Sequence, residues 1–321
     1  MNLDSAIKPP TDLGAGRRFF LVSYLPTYAA TMSLLLLVWA GARGWTGSPR
    51  RSLDFTAAWT TAAHLGAGEL VVLVLTITVV AILIQPLQLS LIRMLEGNWP
   101  RLLGSGLVRK RQQSRKNAWA DTAKLPQGDP AALTAEVIQQ AGKAGHELRR
   151  RFPLPDHLLR ATALGNALAA MEDSAGRPFG LDAVAAWPRL YPVISEQLRA
   201  LLDDRRDSMD AAARMSATMS VTALASAVLL SRSGWWLALA LIPLVVSRIS
   251  YRGAVQAAMA YGESVHAAFD LHRFDLLTAL HLEPPASQVD ERSINSQLCD
   301  LWRQGVPIDP AVRYVVEGKT K

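Results

Sequence analysis

The chain has 321 residues, half of them hydrophobic, and its formal net charge is +7. A single cysteine, Cys299, excludes an intramolecular disulfide. No helix-turn-helix, zinc-finger or RNA-binding aromatic pattern accompanies the positive charge, which argues against a nucleic-acid-binding protein. The apolar residues lie in a few long blocks, and this distribution predicts an all-α integral membrane protein.

Two long uncharged segments near the N-terminus predict a first membrane hairpin at residues 19–94. The first segment runs from about 19 to 42 and follows a polar tail, residues 1–18, which we expect to be cytoplasmic. The second runs from about 70 to 92, and its first half is almost entirely valine, leucine and isoleucine. Both segments are long enough to cross a hydrocarbon core, which takes about 20 helical residues.

A second hairpin is predicted at 214–250, from uncharged segments at about 215–231 and 233–247. Both are shorter than the usual length of about 20 residues, so their flanking arginines would have to extend toward the headgroups. These arginines are Arg214, Arg232 and Arg248. The alternatives are a re-entrant hairpin and a buried hairpin of a soluble bundle. The predicted fold is therefore all-α, with four membrane-inserted helices in two hairpins and a cytoplasmic helical domain.

The positions of lysine and arginine predict which parts face the cytoplasm. Two arginines precede the first segment and many basic residues follow the second, whereas the loop at 43–68 has few. We therefore expect both termini in the cytoplasm, together with a region at 95–213 and C-terminal helices at 251–321. Within the first of these regions, the composition of residues 104–130 is typical of a linker. A helix is then predicted from Asp129-Pro130 to about Arg151, and another from about His157 to Asp173.

Two long helices are expected to join the second hairpin to the cytoplasmic part. A charged helix beginning at Glu196 runs into the third segment without a helix breaker, and the fourth segment continues to about Leu282. A proline pair then ends it, and a terminal helix is predicted at about residues 290–304.

Basic residues cluster just after the second membrane segment. The candidates for contact with anionic lipid are Arg109, Lys110, Arg111, Arg115 and Lys116. Such clusters attract anionic headgroups by about 1 kcal/mol per cation. The alternative is that they serve only to orient the chain in the membrane.

A stretch at 164–192 departs from simple helical periodicity. It contains Leu164-Gly165-Asn166, Glu172-Asp173, Phe179–Val184 and Trp187–Pro192. These pieces resemble a motif of uncharacterised bacterial multi-spanning membrane proteins. The resemblance implies a bacterial cytoplasmic membrane protein in which motif and following hairpin form one unit, and it implies no particular activity.

We expect the second part of this motif to form a packed elbow, because its two prolines forbid an unbroken helix. Asp182 and Arg189 could pair across a short turn there. The candidate structural residues are Asp182, Trp187, Pro188, Arg189 and Tyr191.

The sequence marks no catalytic residue, no cofactor-binding residue and no metal site. His266 and Asp270 are four residues apart and share a helix face, as metal ligands in bundles can. However, no Glu-x-x-His pattern supplies further ligands, so we interpret them as solvated or core-edge residues.

Gln85 and Gln88 are the sharpest functional candidates, because an amide within a membrane segment needs a polar partner. They would either line a pore near its inner mouth or join helices within or between subunits. The predicted function is an oligomeric membrane protein, with an ion-conducting pore and cytoplasmic gating or assembly helices. The alternative is a non-conducting, membrane-anchored scaffold or signalling partner. The expected partners are the bilayer, anionic lipids, further copies of the chain and an unidentified protein, but no nucleic acid.

Overall fold

A computed structural model describes residues 25–44, 52–97, 105–125, 133–310 and 312–315, without the side chains of residues 25, 80–89, 92 and 105. This part of the chain is all-helical, apart from an isolated bridge between Leu282 and Tyr314. The α-helices are α1 (Leu25–Trp39), α2 (Phe55–Ala63), α3 (Ala67–Leu95), α4 (Ser105–Ala123), α5 (Ala135–Arg151), α6 (Ala163–Ser174), α7 (Ala183–Leu190), α8 (Glu196–Leu229), α9 (Leu241–Ala279) and α10 (Gln288–Gln304). Short 3-10 helices lie at Asp156–Leu158, Arg177–Phe179 and Gly234–Ala240.

The chain divides into two compact units. The first comprises Met1–Arg93 and Asp207–Ala254, and the second comprises Met94–Arg206 and Val255–Lys321. The chain therefore passes from the second unit to the first inside α8, and returns inside α9. The predicted long helices are present at both places.

Two helices are long and apolar enough to cross a membrane. They are α8 and the continuous helical stretch Gly234–Ala279, which contains α9. The count rises to three if α2 and the start of α3, which are bent by 111° at their junction, form one span. Helix α1 is also apolar but shorter. The first predicted segment begins among residues outside the described ranges, and the N-terminal tail at residues 1–18 lies wholly outside them.

In the first unit, α8 and α9 pack as a hairpin through small hydroxyl side chains. The Ser247 hydroxyl lies 3.0 Å from the carbonyl oxygen of Ser216, to which it donates, and 2.7 Å from the hydroxyl of Ser220. Small side chains let two helices approach closely, and hydroxyls supply hydrogen bonds in apolar surroundings. The connection begins at Leu230, and its 3-10 helix carries Trp235 and Trp236.

The remaining helices of the first unit expose apolar side chains. Asp54 caps α2, since its carboxylate accepts from the amides of Thr56 and Ala57, so the predicted exterior loop contains a helix. Along α3, five apolar side chains are more than half exposed: Val71, Val72, Val74, Leu75 and Val79. A continuous apolar surface of this kind needs lipid or another chain to cover it.

The second unit has a conventional packed core. Leu190 of α7, Leu202 of α8, Phe269 of α9 and Cys299 of α10 are all buried in one cluster. Burial of this apolar surface stabilises the unit by roughly 25 cal/mol per Å² removed from water. The ends of the two long helices are thus fixed in the same core as the motif.

Two local predictions in this unit are wrong. Residues 105–123, predicted as linker, form α4, which packs against α5. The predicted helix from His157 starts later, because a 3-10 turn and an extended segment precede α6, whose first turn is capped by Thr162. The predicted start of α5, Asp129-Pro130, lies outside the described residues. In the structure α5 begins at Ala135, after its N-cap Thr134.

Candidate functional site

The first part of the motif makes close contacts with the backbone at the start of α6. Gly165 lies against the backbone after α3, so that a Cβ atom on it would be only 1.9 Å from the carbonyl oxygen of Glu96. The fully buried Asn166 accepts from the amide of Arg160 at 2.7 Å and donates to the carbonyl of the same residue at 3.1 Å. These contacts give Gly165 and Asn166 a structural role.

Asp182 connects α7 to the C-terminal helix. Its carboxylate accepts from the amide of Ala185 at 2.9 Å, as an N-cap does. The same carboxylate forms an ion pair with Arg303 of α10, and not with Arg189 as expected. Its backbone amide donates to the sulfur of Cys299 at 3.2 Å. One residue of the motif therefore fixes the helix start and the position of α10.

Trp187 and Pro188 lie within α7, so the predicted break in the helix is wrong. Pro188 has no backbone amide, so α7 lacks only the hydrogen bond to the carbonyl oxygen of Val184. Both Pro188 and Val184 are exposed. Trp187 is partly buried against the core, with its ring 5.7 Å from Tyr191 and 6.2 Å from Phe269. At the predicted elbow the structure has a short helix that tolerates a proline.

Arg189 and Tyr191 attach α7 to its neighbours. Arg189 donates to the carbonyl of Ala185 at 3.0 Å and stacks over the ring of Trp302 at 5.0 Å. The Tyr191 hydroxyl donates to Asp203 of α8 at 2.5 Å, and this hydrogen bond raises the pKa of the phenol. The motif thus contacts both α8 and α10.

A solvent-open cleft of about 480 Å³ lies beside the motif in the second unit. Three ion pairs line it: Arg160–Glu172, Arg177–Asp173 and Arg303–Asp182. Cys299 also lines it, but burial raises the pKa of its thiol to about 11, so the sulfur is protonated at neutral pH. A protonated thiol is a weak nucleophile, and the cleft is therefore suited to binding charged groups rather than to thiol chemistry.

The acidic pair of the motif is used within this cleft. Glu172 pairs with Arg160, and Asp173 pairs with Arg177 while accepting from the amide of Leu154. The charged groups of Arg160, Glu172 and Arg177 are partly exposed and remain accessible to a partner, whereas the Asp173 side chain is only 7% exposed. The cleft brings Asp182 together with the adjacent pair Glu172 and Asp173, which precedes it in the sequence.

The five basic candidates of α4 fall into two groups. Arg109 donates to the carbonyl of Leu159 at 2.8 Å, and Lys116 donates to the carbonyl of Leu154 and pairs with Asp156. The Lys116 ammonium lowers the pKa of the Asp156 carboxyl. These two cations therefore hold α4 against the segment before α6.

The other three candidates point to solvent. Lys110, Arg111 and Arg115 are exposed, and none forms an ion pair with the part of the chain that the structure describes. Gln85 and Gln88 lie on α3, but their side chains are outside the described residues.

Sequence reasoning missed a second cleft, of about 510 Å³, between α5, α6 and α9. His266 lies on it and forms a hydrogen bond of 3.1 Å with Ser174. Arg150 there contacts both Glu147 and Glu263. The only sequence signal was the four-residue spacing of His266 and Asp270. Among the described residues, no three His, Cys, Asp or Glu side chains are grouped to hold a metal ion.

Comparison with known proteins adds no further guide to these sites. No family model matches the chain, and neither a curated protein nor a solved structure is significantly similar to it.

Proposed function

We propose that the protein is a membrane-anchored scaffold, with four inserted helices in two hairpins and with the second unit and both termini in the cytoplasm. The observation that carries the proposal is that the chain passes between the units inside α8 and inside α9. Two uninterrupted helices therefore join an apolar unit to a packed, charged one. The inserted segments would be those at about 19–42, 70–92, 215–231 and 233–247.

The two units support different parts of this proposal. The exposed apolar side chains of α3 favour contact with lipid or with a second copy of the chain. The ion-paired cleft of the second unit presents accessible charges from Arg160, Glu172 and Arg303, as a docking site for a polar protein segment would. Location in a bacterial cytoplasmic membrane is part of the proposal.

A second candidate function is an ion-conducting pore formed by several copies. It is favoured by the spacing of Gln85 and Gln88, which lie three residues apart in α3 and so occupy one helix face. With basic residues near the inner mouth, such a pore would favour anions or be weakly selective.

One experiment separates the two candidates. Purified protein is reconstituted into planar bilayers, and its oligomeric mass is measured in nanodiscs, for the wild type and Gln85→Leu. The scaffold proposal predicts no current, and a smaller oligomer if Gln85 joins subunits. Current that Gln85→Leu reduces, at unchanged oligomeric mass, would support the pore and contradict the scaffold.

A further inference from the structure

Helix α4 has a defined outward face because its other face is held in place. Arg109, Gln112 and Lys116 hydrogen-bond to carbonyl oxygens between Leu154 and Ala161. Gln112 and Lys116 are buried. These contacts fix the rotation of the helix about its own axis, so the residues on the opposite side must face outward.

The outward side, which we call the basic face of α4, consists of Leu107, Lys110, Arg111 and Arg115. Leu107, Arg111 and Arg115 follow one another at intervals of four residues and therefore share a face. Leu107 is 76% exposed and lies on the same side of the helix as these cations. The first acidic residue of the helix is Asp121, which pairs with Lys124.

Exposed cations on a helix that closely follows a predicted membrane segment attract anionic headgroups. Cations within reach of headgroups bind anionic lipid, while an apolar side chain enters the boundary below them. The position of α4 in the chain agrees, since it follows α3, the helix that contains the second predicted membrane segment, after only a short connection.

We propose that the basic face of α4 binds the surface of a bilayer that contains anionic phospholipid. The lipid phosphates accept hydrogen bonds from Lys110, Arg111 and Arg115, and Leu107 enters the headgroup boundary. Arg109 and Lys116 take no part, because their cationic groups are already bound to the protein. This inference rests on the membrane insertion proposed above. It adds, to the lipid contact of the inserted helices, a contact made by α4 of the second unit.

The test uses the full chain in nanodiscs, with a polarity-sensitive dye on Ser114→Cys in a Cys299→Ser background. Ser114 is exposed and lies one turn from Lys110 and Arg111. The dye emission should shift to the blue when phosphatidylglycerol is added to phosphatidylcholine nanodiscs, and high salt should reverse the shift. Arg111→Gln/Arg115→Gln should raise the lipid fraction needed for half of the shift by roughly fivefold per cation removed.

The matched control is Lys143→Gln/Arg149→Gln, which removes two exposed cations from α5. It should leave the shift unchanged, and a thermal melt of each variant should show that both are folded. An equal loss in the control would attribute the effect to overall charge and overturn the proposal. So would the absence of any shift with phosphatidylglycerol, or a shift produced by an RNA oligonucleotide in neutral nanodiscs.

Failure of this inference is distinguishable from failure of the proposed function. Protein that stays in membranes at alkaline pH, but shows no response to anionic lipid, would contradict the basic-face proposal alone. Protein that alkaline carbonate releases from membranes would contradict the membrane anchor itself.

Discussion

The carbonyl oxygen of Glu96 lies so close to Gly165 that a Cβ atom at that position would be 1.9 Å away. Glu96 follows the last turn of α3, and Gly165 lies near the start of α6 in the same unit. The contact therefore fixes where the chain that leaves α3 meets the motif.

Gly165→Ala should lower the free energy of unfolding by about 1–3 kcal/mol, because the added methyl group forces two backbones apart. The matched control is Gly142→Ala on α5, where a Cβ atom would meet nothing within 4 Å. That change should be neutral or stabilising by up to about 1 kcal/mol, since alanine favours helix. Thermal melts in detergent measure both, and equal melting temperatures for the two variants would show that the close contact is absent.

Asp182 has two roles that substitution can separate. Asp182→Ala should lower the free energy of unfolding by about 1–2 kcal/mol, because α7 loses its N-cap and Arg303 loses its partner carboxylate. Asp182→Asn should cost less, since asparagine caps helices well and only the partly exposed ion pair is lost. Asp300→Asn, at an exposed carboxylate of α10, should change stability by less than about 0.5 kcal/mol. If Asp182→Asn proved as harmful as Asp182→Ala, the ion pair rather than the cap would be the important contact.

Trp187 packs against the core, and its loss should leave a cavity. Trp187→Ala should lower the free energy of unfolding by about 3 kcal/mol. This value is at the lower end for large aromatic side chains, because Trp187 is only partly buried. Val184→Ala in the same helix is the control, since Val184 is 64% exposed and its loss should be close to neutral. If neither change lowers the melting temperature, then Trp187 does not pack against the core and α7 is a surface helix.

Cys299 should resist thiol reagents while the protein is folded. Its thiol is 4% exposed and burial raises its pKa to about 11, whereas an ordinary thiol has a pKa of about 8.5. Because only the thiolate reacts, alkylation by iodoacetamide should keep rising roughly tenfold per pH unit beyond about pH 9. Mass spectrometry of the labelled protein measures this rate.

The control for this titration is Ser114→Cys in a Cys299→Ser background, because Ser114 is exposed on α4. Its rate should level off near the ordinary thiol pKa of about 8.5. A plateau at the same pH for Cys299 would mean that the core around α10 is open to solvent.

Helix α8 could be predicted from sequence because no helix breaker interrupts it. From Glu196 to Leu229 there is neither proline nor glycine, and the helix is continuous as expected. The terminal helix was equally clear, since Gly305 ends it in a left-handed conformation with φ of 69°.

Helix α4 could not be predicted in this way, because tertiary contacts determine it. Its composition of glutamine, serine and glycine resembles a linker, but Arg109 and Lys116 bind carbonyl oxygens more than thirty positions away in the sequence. Local propensity does not record such contacts. The same holds for α7, where Pro188 is tolerated because it costs only one hydrogen bond at an exposed position.

The candidate site, too, could be predicted from the sequence only in part. The motif residues were found from sequence, but the pairing of Asp182 with Arg303 was not, because α10 is far along the chain. Likewise, the five basic residues of α4, in two short runs, look alike in sequence. Only the structure separates the two that bind the protein from the three that face solvent.

The central claim, that the chain crosses a membrane with its second unit inside, is tested most directly by cysteine labelling in intact cells. Single cysteines replace Ser52, Ser231 or Ser114, all exposed, in a Cys299→Ser background, and an impermeant maleimide is added from outside. The account predicts labelling at Ser52 and Ser231 at once, and at Ser114 only after the cells are permeabilised. Labelling of Ser114 in intact cells, with Ser52 and Ser231 protected, would contradict it.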